Sequence, residues 1–374
     1  MGLLRVLLAL SVALSHLGDF RGFGIAGGFA AVQMFYMISG FYMATILTGK
    51  YDPRRDIAVF YSNRLLRIYS IYLVCLLISL AAYIAIYAAG QGGWLAYVIA
   101  NIGRIDGLGR LWLAFTSIAI VGQESTLFLE LKDGALAFTP NGPGGETPVW
   151  VFMPIPQAWS ISLELMFYAL VPFLIRNKTN VLIGIVAAAL VARVAVYAAG
   201  YDHDPWLSRF FPFELALFVL GMIARRIYDS AVITLQHRTQ VAVALAFVIL
   251  TCAVRELVVD VGLHVVWVYY AAGLIGLPCL FAVTRHSKAD QFLGSFSYPL
   301  YLIHWTVMMF YDAFAVQLNL PATGSVARAA ICVTVSLVVS WIVVVSVEAP
   351  LDRYRQKRLL RMQGRPPAFG AAAG

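Results

Sequence analysis

The chain has 374 residues, of which 61% are hydrophobic and 12% charged, with a formal net charge of +8. A soluble domain carries about 25% charged residues. A mean hydropathy of +0.80 and repeated apolar runs of roughly 20 residues therefore exclude a soluble globular protein, and the excess of cations is a topology signal rather than a nucleic-acid footprint.

The predicted architecture is all-α, a polytopic transmembrane helical bundle. Spans are expected at about 3–17, 25–47, 66–89, 158–175, 181–199, 208–224, 240–258, 264–284, 293–314 and 326–347, which makes ten. The N-terminal run is kept as the first helix because it lacks a small-x-small cleavage site and the next span follows at once. The stretch 94–122 is broken by Gly103, Gly107 and Gly109. It reads as an interfacial or re-entrant piece, too short to span. The connection 123–157 is punctuated by Gly, Pro and Asn and is expected to be an ordered loop or lid. With both termini cytoplasmic, the inner loops and the tail hold most of the lysines and arginines, including Arg54, Arg55, Arg64 and Arg67. The membrane domain is drawn at 1–350 and a basic cytoplasmic tail at 351–374. Cys75, Cys252, Cys279 and Cys332 lie singly in apolar runs, so neither a disulfide framework nor a metal site is expected.

Five groups of polar residues stand out within the apolar runs. In the first span Arg5 and His16 are eleven residues apart, about three helical turns, so both share one stripe separated by roughly 16 Å. Such a stripe is costly in lipid and should face protein or water. His16 is a candidate general base, since imidazole titrates near neutral pH. Gln33 and Tyr36 share a face with Gly40 in the second span, where glycines permit close helix approach. Arg64 and Arg67, three residues apart, share a face at the mouth of the third span and suit a phosphorylated ligand. Ser160, Glu164 and Tyr168 follow one helix face, and a buried carboxylate there needs a partner. Ser297, Tyr301 and His304 lie on one face of the ninth span, beside Pro299.

These segments, in order and in register over about 5–354, resemble the acyltransferase-3 family of integral membrane O-acyltransferases. The carriers are the Arg5-to-His16 spacing, GGFAAVQMFYMISGFYMATIL, Arg64-x-x-Arg67, WSISLELMFY, SFSYPLYLIHW and VEAPLDRY. The resemblance implies transfer of an acyl group, commonly acetyl, from cytoplasmic acyl-CoA to a hydroxyl of an extracytoplasmic or lipid-linked carbohydrate. It implies that His16 is catalytic and that Arg64 and Arg67 bind the donor, with Arg5 a motif member beside them. Glu164 is expected to orient His16, and Tyr36, Ser160, Tyr168, Tyr301 and His304 to line the substrate path. Acyl-CoA is expected as co-substrate, with no permanently bound cofactor. Lipid, carbohydrate acceptor and a separate extracytoplasmic transfer partner are the expected associates, in a bacterial cytoplasmic membrane. Some relatives carry a fused hydrolase-like domain; the expectation here is that the chain acts alone or with such a partner. Two other readings fit the composition: a proton-coupled exporter of a small solute, and an envelope scaffold whose polar residues fix helix register.

Overall fold

The computed structural model describes residues 1–18, 25–49, 51, 56–262 and 264–362. Arg54 and Arg55 lie outside the described residues. Each expected span coincides with a long helix: α1 (Gly2–Leu17), α2 (Gly28–Gly49) and α3 (Ile57–Ala88), then, beyond two short helices, α4 (Gly93–Asn101) and α5 (Gly107–Ala119), α6 (Trp159–Leu174), α7 (Thr179–Ala198), α8 (Phe211–Ser230), α9 (His237–Val261), α10 (Val265–Thr284), α11 (Lys288–Phe314) and α12 (Val326–Val343). Among the described residues, α2, α3, α7, α9 and α10, together with the stretches Pro156–Leu174 and Val326–Leu359, are long and apolar enough to cross a membrane. The helix α1 is apolar but shorter. Both α8 and α11 are interrupted by ionisable residues yet bury much of their length inside the bundle.

Two boundaries differ from expectation. The third helix begins about nine residues earlier than the predicted span, so Arg64 and Arg67 sit two to three turns from its N-terminus. At 32 residues it is about 48 Å long, well beyond the hydrocarbon thickness of about 30 Å. The last span leaves α geometry at Val344–Glu348, a π-helical turn, before continuing as α13 (Ala349–Met362). Pro350 supplies the cause: it has no N–H for the preceding turn and its ring crowds the carbonyl four residues back. The wider turn brings Glu348 to 3.6 Å from Arg67.

The stretch 94–122 is not a span. The helices α4 and α5 lie over a two-stranded antiparallel hairpin, β1 (Leu129–Lys132) and β2 (Ala135–Phe138), and share with the connection to α6 a small core of Ile105, Leu113, Val149, Phe152 and Met153. Asp106 caps α5 by accepting from Gly109 N at 2.7 Å. The opposite face of α5 leaves Leu108, Leu111, Phe115 and Ile118 exposed, an apolar stripe suited to the membrane interface. Ser162 of α6 hydrogen-bonds Glu124 and ties this cap to the bundle. Burial pushes the Glu124 carboxyl above its usual range, and the Ser162 hydroxyl opposes that rise.

Two close approaches hold the bundle interior. A Cβ at Gly40 would lie 1.9 Å from the Phe218 carbonyl oxygen, and one at Gly221 would lie 2.0 Å from that of Met37, so α2 and α8 meet backbone to backbone. Beside this seam Gln33 donates to Glu214 at 2.9 Å, Glu214 pairs with Arg193, and Tyr270 donates to Gln33, which joins α2, α7, α8 and α10. All four side chains are buried. Substituting Gly40 with alanine forces the pair apart and should cost about 1–3 kcal/mol. A thermal midpoint in detergent equal to wild type would refute this reading of the seam.

Candidate active site

The helix α1 carries the Arg5–His16 stripe, and α11 holds it near both ends. Asp290 accepts from Gly2 N at 2.7 Å and Leu3 N at 2.9 Å, which satisfies two otherwise unpaired donors of the first turn. At the other end Arg328 of α12 donates to the Leu17 carbonyl at 2.8 Å while its fork pairs with Asp312 of α11 at 2.8 and 2.6 Å. Gly2 and Gly294 let α1 and α11 touch: a Cβ at Gly2 would fall 1.6 Å from the Asp290 carbonyl oxygen. The stripe is thereby turned into the bundle, away from lipid.

Two cavities open along it. The larger, about 600 Å³, is lined by Arg5, Arg64, Arg67, Glu164, Ser160, Tyr168, Tyr36 and Tyr301. The second, about 540 Å³, is lined by His16, which is exposed to it, and by Val12 and Ser15 of the same helix. Among the described residues, only Val32 and Tyr301 border both. On α2 the larger cavity follows Val32, Tyr36, Ser39, Met43 and Ile46, a stripe about 21 Å long.

The arginine-lined end gathers more charge than the sequence motif suggested. Arg64 is 6% exposed and its Nε has no partner in the fold; Arg67 faces Glu348. Arg355 of α13 joins them, 8% exposed, bonded to Asp352 at 3.2 Å with its Nε also unpartnered. Asp352, Gln356 and Leu359 complete that wall, so the first turns of the expected tail belong to the cavity. Sequence reasoning missed Arg355 because it sits in a cation-rich stretch indistinguishable from a topology anchor. Buried guanidinium groups without full protein partners form a receptor for phosphate oxygens.

Glu164 departs from the expected pairing with His16. Its Oε1 accepts from Ser39 at 2.6 Å and from Tyr168 at 2.5 Å, inside the larger cavity, and no hydrogen bond joins it to His16 among the described residues. The reason is depth: α6 presents Glu164 to the middle of α2, whereas His16 is at the far end of α1. Ser160, one turn before Glu164, bonds the Tyr301 hydroxyl at 2.6 Å, and Tyr301 donates to the Gln157 carbonyl at 2.9 Å.

His304 also departs from expectation. It lines neither cavity. Its ring, 3% exposed, stacks behind His16 with centroids 5.5 Å apart and planes 20° apart, while Trp305 meets His16 edge-on at 5.2 Å. Nδ1 of His304 lies 3.3 Å from the Leu300 carbonyl oxygen, the carbonyl one turn back on the same helix, and Nε2 has no partner. It is a backing for His16 rather than part of a substrate wall.

The second cavity combines apolar and polar walls. Trp150, Trp159 and Trp305 provide flat apolar walls, and Asp204, Arg209 and Gln157 provide polar groups. Arg209 stacks over Trp159 at 4.6 Å and donates through Nε to Asp204 at 2.7 Å. Two polar atoms of this lining, Trp150 Nε1 and Gln157 Oε1, are buried without partners. Neither Arg209 nor Trp150 carried a sequence signal beyond its residue type, because loop residues acquire a role only from their position.

The arrangement is thus an imidazole in one chamber, a guanidinium cluster in another, and a shared wall between. A family model described as an acyltransferase domain matches residues 1–345. Comparison with curated proteins and with solved structures gives no match. The match spans nearly the whole chain, and the helices are those of a multi-pass membrane protein, so the chain belongs to the acyltransferase-3 family and is a membrane acyltransferase.

Proposed function

We propose that the protein takes an acyl group, in the first instance acetyl, from acyl-CoA on the cytoplasmic side and places it on a hydroxyl of a carbohydrate on the far side of a bacterial cytoplasmic membrane. The meeting of the two cavities at Val32 and Tyr301 is the observation that carries this reading. The ten-span topology expected from the sequence, with the cation-rich loops inside, supports a cytoplasmic arginine end. Arg64, Arg67 and Arg355 hold the nucleotide and pyrophosphate, with Arg5 deeper in the same chamber. The pantetheine arm follows the α2 stripe, whose length of about 21 Å suits an extended chain of that size. The thioester then arrives beside Tyr301, within the reach of His16 from the opposite chamber.

There His16 takes the proton of the acceptor hydroxyl as its oxygen forms the bond to the acyl carbon. The carbon–sulfur bond breaks, sulfur keeps the electron pair, and the imidazolium returns the proton to give free CoA thiol and the ester. The tryptophan walls of the second chamber accept the apolar faces of a sugar, and Gln157, Asp204 and Arg209 its hydroxyls. Glu164, bonded to Ser39 and Tyr168, shapes the donor path.

The test uses the full chain in proteoliposomes, with acyl-labelled acetyl-CoA on the arginine side and an envelope glycan fraction on the other. The expected result is label in a base-labile ester on the glycan. Solute counterflow without consumption of acyl-CoA would replace this reading with transport. Label retained on protein in the absence of acceptor would place an acyl-histidine before the ester.

A further inference from the structure

Tyr36 lines the larger chamber one helical turn from Val32, with a hydroxyl that the fold leaves unused. Its side chain is 3% exposed, lines the larger cavity, and its Oη is buried without a partner. Among the described residues it is the only tyrosine with an orphaned buried hydroxyl. The other hydroxyls nearby are committed: Tyr301 to the Gln157 carbonyl and Ser160, Tyr168 and Ser39 to Glu164, and Tyr298 to the Ile68 carbonyl at 3.2 Å. A buried donor left unpaired destabilises the fold, a cost that phenylalanine at this position would remove.

The ring is held still. Phe218 packs against it with centroids 4.6 Å apart, and Phe218 belongs to the seam where Gly40 brings the α2 and α8 backbones together. Tyr36 lies one helical turn from Val32, the α2 residue common to both chambers, on the arginine side of it. Tyr301, the other shared residue, lines one chamber together with Tyr36 and the other together with His16. A carbonyl held beside Val32 and Tyr301 would have the chamber of His16 on one side and the Tyr36 side chain on the other.

We infer that the Tyr36 hydroxyl is the oxyanion donor of the reaction: it hydrogen-bonds the thioester carbonyl oxygen and strengthens that bond as the oxygen becomes negative in the tetrahedral intermediate. This rests on the acyl-CoA reading above. When the nucleophile adds to the acyl carbon, the C=O π pair moves onto oxygen; Tyr36 donates its hydrogen bond without giving up the proton, and the pair returns as the carbon–sulfur bond breaks. A preorganised donor in a water-poor site is worth far more to the transition state than to the ground state.

The test is Tyr36→Phe, which keeps the packing on Phe218. Its expected effect is a fall in kcat of roughly 100-fold with KM for acetyl-CoA within about twofold, the pattern of an interaction made in the transition state. A second readout needs no turnover. The carbon analogue of acetyl-CoA, with methylene in place of the thioester sulfur, presents the same carbonyl and cannot react. In wild type its isotope-labelled carbonyl band should sit at lower infrared frequency than in Tyr36→Phe. Fluorinated tyrosines at position 36 should change kcat with phenol acidity, a response that a packing role would not produce. An unchanged kcat, or a carbonyl band indifferent to the substitution, overturns the assignment of Tyr36. Failure of wild type to bind the analogue overturns the acyl-CoA reading instead.

Discussion

Replacing His16 with alanine should abolish acyl transfer while leaving membrane insertion and protein level as in wild type. The ring is exposed to its chamber and its packing partners are His304 and Trp305, so little apolar burial is lost with it. Positioned proton transfer contributes roughly 10²–10⁴-fold, about 3–5 kcal/mol of barrier, and among the described residues no second imidazole lines the same chamber, whose carboxylate, Asp204, is paired with Arg209. The measurement is ester formation on the acceptor at saturating acetyl-CoA, together with a melting curve in detergent. Wild-type transfer by the alanine variant would remove the catalytic role of His16. A collapse of the melting curve would instead make its role one of packing against His304.

Neutralising the guanidinium cluster should act on the donor rather than on the chemistry. Hydrogen bonds to charged groups contribute about 1.5–3 kcal/mol each. Arg64→Gln is therefore expected to weaken acetyl-CoA binding by roughly 10- to 100-fold, with kcat far less affected. Arg355→Gln should behave in the same sense, and the double variant should fall short of the product of the two, because both act on one anionic ligand. Ligand-free stability separates this from a structural role. Arg64 is nearly buried among other cations with its Nε unpartnered, so removing its charge relieves desolvation and like-charge repulsion. The ligand-free melting midpoint of Arg64→Gln should stay level or rise, while the upward shift produced by acetyl-CoA in wild type should shrink. An unchanged affinity would refute the donor role; a lower ligand-free midpoint would make Arg64 a structural cation.

Both predictions begin from residues that could be picked out in one dimension. A charge or an imidazole inside an apolar run is expensive in lipid wherever the helix goes, so Arg5, His16, Arg64, Arg67 and Glu164 declare themselves before any packing is known. The turn Asp133–Gly134 declares itself as well: Asp-Gly between short alternating segments is a strong hairpin signal, which the reading of 123–157 as an ordered loop or lid left out. The early start of α3 was obscured by polar residues at 61–64, which interrupt hydropathy without interrupting a helix.

Hydropathy and helical period by themselves determined the class of molecule, the approximate place of each long helix, and the fact that one face of α1 must turn inward, because each is a local balance of side-chain transfer energy and backbone hydrogen bonding. Tertiary packing alone decided which inward-facing groups meet. It gave Glu164 to Ser39 rather than to His16, set His304 behind His16, folded Arg355 onto the guanidinium cluster and left the Tyr36 hydroxyl without a partner. Those choices depend on the depth and rotation of one helix against another. Contacts between residues more than a hundred positions apart set them, and helical periodicity carries no record of such distances.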